Sequence, residues 1–144
     1  MENNTVPSAK KSPIVKIIVA LLMLGLVWLA VSNLPRGYSR DLTQIGKGKN
    51  VVVQVHDHNL VGSIDLMENL NKVRPEYAGS VEFMVADLLT PEGQAFATAH
   101  DVSSVTLVFF APDGTPRGGV KGSQDLSTLR NSLNQAFNLS ASKQ

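Results

Sequence analysis

Any chemistry this chain performs would be expected in the stretch VVVQVHDHNLVGS, residues 51–63. There two histidines flank an aspartate, and a serine follows five positions after the second histidine. In extended backbone, side chains alternate with period two, so His56 and His58 would share one face with Asp57 turned away. Two neutral imidazoles on one face are candidate ligands for Cu(II), Zn(II) or Ni(II), which would make the chain a metal-binding or metal-delivery protein. A zinc site takes three or four protein ligands, however, and His100 falls at an expected helix end. The bland alternative is a polar loop over the end of a sheet, with Asp57 or Asn59 capping the next helix. Ser63, His58 and Asp57 also have the residue types of a nucleophile, a base and an orienting acid. No Gly-x-Ser-x-Gly elbow accompanies them.

Composition removes several classes at once. The 144 residues include no cysteine, which excludes disulfides, thiolate nucleophiles, cysteine-ligated zinc and thiol–disulfide exchange together. A formal charge of +1 provides no electrostatic footprint for nucleic acid, so no such partner is expected. The GKG of residues 46–48 lacks the second spaced glycine and the Lys-Ser/Thr of a phosphate loop. No cofactor is expected, and the chain reads as a non-enzyme.

The elements that would position residues 51–63 begin with an anchor. IIVALLMLGLVWLAV, residues 17–31, is an unbroken apolar run. With its flanks it makes a segment of about the 20 residues a membrane helix needs. The reading is a tail at 1–12, a transmembrane signal anchor at 13–34 set in the lipid bilayer, and a basic tether at 35–49. A cleaved signal peptide is the rival, with AVS at 30–32 as a loose cleavage site, but its apolar core would exceed the usual length. Lysines precede the span and basic residues follow it, so the positive-inside count nearly balances. The orientation chosen puts a single-pass anchor in a bacterial inner membrane with the C-terminal domain periplasmic.

The domain, 50–138, follows in order, with a frayed tail at 139–144. Residues 51–55 form a β-branched strand. Leu60, Ile64, Met67, Leu70 and Val73 form one helical stripe, with Asp65, Glu68, Asn69 and Lys72 toward water. SVEFMVADL is a second strand. Thr90 and Pro91 open a short helix as N-cap and first helical residue. VTLVFF runs into the Asp113-Gly114 turn and a glycine-rich return strand. Leu126, Leu129, Leu133 and Phe137 mark a last helix after Ser123. The order β-α-β-α-β-β-α predicts an α/β mixed sheet with helices on its faces, in which strands joined through helices run parallel.

That order, with AHDVSSVTLVFFAPDGTPRGGVKG at 99–122, resembles the thioredoxin superfamily. The resemblance places LVGS, residues 60–63, at the family's Cys-x-x-Cys position, opposite Val105 and Thr106. Neither cysteine is present, so the family's redox activity is excluded. VSSVTL also lacks the family's cis-proline, and a trans peptide is the default there. Gln54 stands where redox members often bury an acid. The resemblance therefore implies a degenerate, redox-inactive member acting as an interaction, assembly or accessory-subunit module. Its partner would be another membrane or periplasmic protein. The expected contact surface is Leu60, Val61, Gly62, Ser63, Val105 and Thr106, with His56 and His58 as metal ligands in the alternative.

Overall fold

A computed structural model of the chain describes residues 13–32, with side chains over 14–30, and residues 37–139. The expected tail at 1–12, the tether's start at 33–36 and residues 140–144 lie outside the described residues. The chain divides into two compact units between Gly37 and Tyr38, each taken by itself below.

The first unit carries helix α1, Pro13–Ser32, whose apolar side chains are exposed on every face. No helix among the described residues is long and apolar enough to cross a membrane. The expected transmembrane span at 13–34 is thus present as a helix over 13–32, without being shown as a span.

The second unit is built on β1, Asn50–His56, which is buried from Val51 onward. Period-two alternation sends its side chains into two separate cores. Val51, Val53 and Val55 pack with Met84, Phe96, Val108 and Phe110 on one face, while Val52 joins Leu66, Leu70, Phe83, Leu107 and Leu129 on the other. The remaining elements are α2 (Val61–Val73), β2 (Val81–Asp87), α3 (Pro91–Ala99), β3 (Thr106–Phe110), β4 (Pro116–Lys121) and α4 (Leu126–Phe137). The sheet order is β2-β1-β3-β4. Helices α2 and α4 cover one face and α3 the other.

Strand β2 pairs parallel to β1, as the crossover through α2 requires, but β3 pairs antiparallel to β1. Parallel strands on both sides of α3 were the expectation, and chain length explains the difference. The nine residues of α3 rise about 13 Å, against about 23 Å for the seven of β2. Residues 100–105 then bring the chain back to the C-terminal end of β1, where the Val105 N–H bonds the Val55 carbonyl at 3.0 Å.

Three other expectations are corrected. The tether expected at 35–49 is folded onto the domain from Tyr38. Ser39 bridges Met84 at the β2 edge, Leu42 and Ile45 pack on the α3-side core, and the Gly48 N–H bonds Pro112. The buried face of α2 is Ser63, Leu66, Leu70 and Val73 rather than the Leu60–Ile64–Met67 stripe, although both share Leu70 and Val73. Helix α4 is capped by Asp125, whose Oδ1 accepts from the Thr128 N–H at 2.8 Å, and not by Ser123. Thr90 and Pro91 open α3 as expected, with the Gly93 N–H donating to Thr90 Oγ1 at 3.1 Å. A side chain at Gly93 would run into the Asp87 backbone, so only glycine lets α3 sit this close to β2.

The corrected face of α2 is testable. Leu66→Ala empties a fully buried position and should cost about 2–5 kcal/mol, whereas Ile64→Ala should change stability by under about 1 kcal/mol. Urea denaturation of both variants checks this, and the reverse order would restore the other stripe.

Candidate functional site

The C-terminal ends of β1 and β2 lie side by side, with His56 opposite Asp87 in the register. Helix α2 starts there after a four-residue turn, and α3 starts after β2, so both β–α loops meet at one edge of the sheet. Gln54 and His56 project from β1 toward α2, whose buried Ser63 meets them.

Three buried polar residues, Gln54, His56 and Ser63, bond to one another in part. Gln54 Nε2 donates to the Ser63 carbonyl at 2.8 Å, which fixes the orientation of the amide. Ser63 Oγ accepts from the Asp57 N–H at 3.0 Å and lies 2.9 Å from His56 Nδ1. Gln54 Nε2, a donor only, also faces Nδ1 at 3.4 Å. The Gln54 amide thus favours Nδ1 as an acceptor, while Ser63 Oγ can either donate to it or accept from it. Burial, then the neighbouring His58, push the His56 imidazole below its ordinary 6.5. Gln54 Oε1 is buried without a partner.

His58 stands outside this network. Its ring meets His56 edge-on, with centroids 4.4 Å apart, and its Nε2 lies 3.1 Å from Asp87 Oδ2. Arg40, from the folded tether, approaches the same carboxylate at 3.6 Å, and the Leu89 N–H donates to Oδ1 at 3.0 Å. Burial acts to raise the Asp87 carboxyl. The Leu89 N–H, His58 and Arg40 outweigh it and hold Asp87 below the usual carboxylate range.

The metal and nucleophile readings of the sequence fare differently from the surface reading. His56 and His58 are neighbours, but one nitrogen of each is already engaged, by Ser63 and by Asp87. Among the described residues, no group of three or more His, Asp or Glu is arranged to hold a metal. Ser63 pairs with His56, not His58, and at 0% exposure cannot meet a substrate. Asp57 and Asn59 do not cap α2: its N-cap is Leu60, without a side-chain bond, and Asp57 Oδ1 accepts from the Asn59 N–H instead.

Among the expected contact residues, Ser63 and Thr106 are buried and drop out of any surface. Gly62 does meet Val105, since a Cβ at Gly62 would lie 3.6 Å from Val105 Cγ1. No peptide bond among the described residues is cis, and Val105 instead adopts a φ of 57°, rare for a β-branched residue. What remains outside is apolar: Val61 is 72% exposed, Ile64 49%, Leu60 40% and Leu89, in the adjoining loop, 65%. Asp87, Arg40 and Leu89 had not been singled out. An acid ending the apolar run VEFMVAD, set against His56 in a parallel pair, was the available signal for Asp87.

Ser63→Ala leaves the Asp57 N–H and His56 Nδ1 unpaired and should cost about 1–3 kcal/mol in urea denaturation. The pH dependence follows from His56. Its folded value lies below the unfolded 6.5, so the unfolded chain binds the proton more readily. Its contribution is fully present above pH 6.5 and is lost as pH falls toward the folded value. Unfolding free energy should be flat across pH 7–8 for this group and fall below about 6.5, a fall that His56→Asn should reduce.

No family model matches the chain, and no curated protein does. Solved structures do match, 148 chains of them. One comes from work on the thiol-resolving mechanism in yeast mitochondrial 1-Cys peroxiredoxin via glutathione/thioredoxin systems. It aligns with a TM-score of 0.57 and 20% identity over 68% of this chain and 92% of that chain. At that identity the likeness carries the fold alone. The domain has the thioredoxin-like fold, and the chain has no cysteine to run thiol–disulfide chemistry.

Proposed function

We propose that the chain is a membrane-anchored, redox-inactive thioredoxin-like module that binds another membrane or periplasmic protein through the loops at the C-terminal edge of its sheet. One observation carries the reading. The junction buries Gln54, His56 and Ser63 against one another and leaves Leu60, Val61, Ile64 and Leu89 in water beside the exposed His58 and Asn59. A site that performs chemistry exposes reactive groups; a site that is recognised exposes apolar ones. The absence of cysteine fits the same reading, because exchange chemistry has no sulfur to use.

The anchor is supported by the apolar run at 17–31 and by a helical backbone of 20 residues, about 30 Å long. Lysines before the run favour an N-terminus in the cytoplasm and a domain on the periplasmic side of a bacterial inner membrane. Confinement to a surface raises the local concentration of the domain, so individually weak contacts become populated.

Two measurements check the proposal. The full chain should stay with membranes through an alkaline carbonate wash and be released when residues 13–32 are deleted; release of the intact chain would remove the anchor. A photo-crosslinking amino acid at Val61 should give one reproducible protein adduct, and the same group at the exposed Gln135 of α4 should not. Equal labelling from the two positions, or none from Val61, would overturn the contact surface.

A further inference from the structure

The exposed apolar edge is bordered by charge of one sign. On α2, Val61, Ile64 and Asp65 stand at i, i+3 and i+4, so the carboxylate lies beside two exposed aliphatic side chains. Glu92 sits in the first turn of α3, three residues past Leu89, and Asp57 lies in the loop leading to Leu60. The two loops are tied side by side. The Leu88 N–H donates to the His56 carbonyl at 2.9 Å, and His58 lies 3.1 Å from Asp87.

The fold supplies no counter-charge here. Among the described residues, neither Asp65 nor Glu92 makes a side-chain hydrogen bond or an ion pair. Most acids elsewhere do. Glu68, Glu76 and Glu82 pair with Lys72, Arg130 and Lys49, while Asp41, Asp113 and Asp125 accept backbone N–H groups in caps and turns. Asp101 is also unpaired, but it follows the other end of α3. Glu92 complements the α3 dipole; Asp65, in the second turn of α2, has no such use. Arg40 reaches this edge from the tether but stands on the buried Asp87 at 3.6 Å.

We infer that the partner bound at this edge is a cationic–apolar protein segment: apolar side chains that cover Val61, Ile64 and Leu89, flanked by lysine or arginine that meets Asp65 and Glu92. Complementary charge at the rim of an apolar contact steers encounter and rejects wrong partners. The same charge disfavours the other occupants. A second copy meeting this face with its own sets acid against acid, and an anionic lipid surface is repelled likewise. The inference rests on the interaction reading above and adds the chemistry of its partner.

The test uses the full chain, 15N-labelled and held in a non-ionic amphipol, with three synthetic peptides of equal length: Leu/Lys, Leu/Glu and Ser/Lys at helical spacing. Amide shifts report the site, and their titration reports Kd. The Leu/Lys peptide should move Val61, Ile64 and Leu89, leave Gln135 in place, and bind at least about tenfold tighter than either other peptide. The double variant Asp65→Asn/Glu92→Gln should weaken it by about 2- to 30-fold, the range for two exposed ion pairs, and reduce its dependence on added salt. If that variant does not fold, the wild-type peptide preference and salt dependence decide alone. Equal binding of Leu/Lys and Leu/Glu at the patch, or no loss in the folded double variant, would overturn the cationic partner and leave the surface standing. Equal binding of Ser/Lys, no shift at Val61 with any peptide, or patch shifts produced by raising protein concentration alone or by phosphatidylglycerol vesicles would overturn it too. The crosslink from Val61 judges the surface independently of all these.

Discussion

β1 touches water on neither face, and the rest of the domain follows from satisfying that one strand. Its backbone pairs on both sides, with β2 and β3, and its valines fill two cores. Gln54 and His56, however, enter the α2-side core with polar atoms that have lost water. An unmade hydrogen bond there costs roughly 1–3 kcal/mol per group. Ser63 supplies the partners through its carbonyl and its hydroxyl, and doing so requires Ser63 to face β1. That requirement rotates α2. The helix buries Leu66 and turns Ile64 outward, and the apolar edge of the domain is the other side of the same rotation.

This is also why the α2 face was the least legible element in the sequence. Two apolar stripes overlap on that helix, sharing Leu70 and Val73, and periodicity counts hydrophobic residues without knowing that a serine is needed inside. Strand β1 was legible because a run of valines has few other uses, and α3 because Thr90 and Pro91 punctuate its start. The antiparallel course of β3 was not legible, since a connection through a helix usually returns a parallel strand. The folded tether was hidden for another reason. Polar, glycine-containing sequence reads as linker, yet Gly46 and Gly114 sit back to back and let the two turns pack. At the site, the missing cysteines and the neutral Gln54 were readable. The Asp87–His58 pair needed the strand register, which no single strand contains.

Val105 shows how the chain enters β3 with no proline at the turn. The chain must turn sharply from residues 100–104 into β3 while keeping the Val105 N–H on Val55 and the Val105 carbonyl on Gly122. With trans peptides, the turn is made by a left-handed residue, and at a valine this stores roughly 1–3 kcal/mol of strain. The two bonds hold it in place. Gly62 lies beside it: a Cβ there would sit 3.6 Å from Val105 Cγ1, an ordinary contact distance, so Val105 packs against the first turn of α2. The proposed contact surface is the exposed set Leu60, Val61, Ile64 and Leu89.

Magnitudes bear on the proposal that such a surface would act from an anchored chain. Fully burying an aliphatic side chain is worth roughly 1.5–3 kcal/mol, so four of them supply about 6–12 kcal/mol at most. Association costs about 4–15 kcal/mol in lost freedom before any side chain is ordered. The two ranges overlap, and a free domain with this surface would bind weakly. Restricting both partners to one membrane lowers the translational part of that cost without adding a contact. On the proposed reading, a surface this small would work when the chain is held beside its partner, which is the physical argument for testing the anchor and the contact surface together.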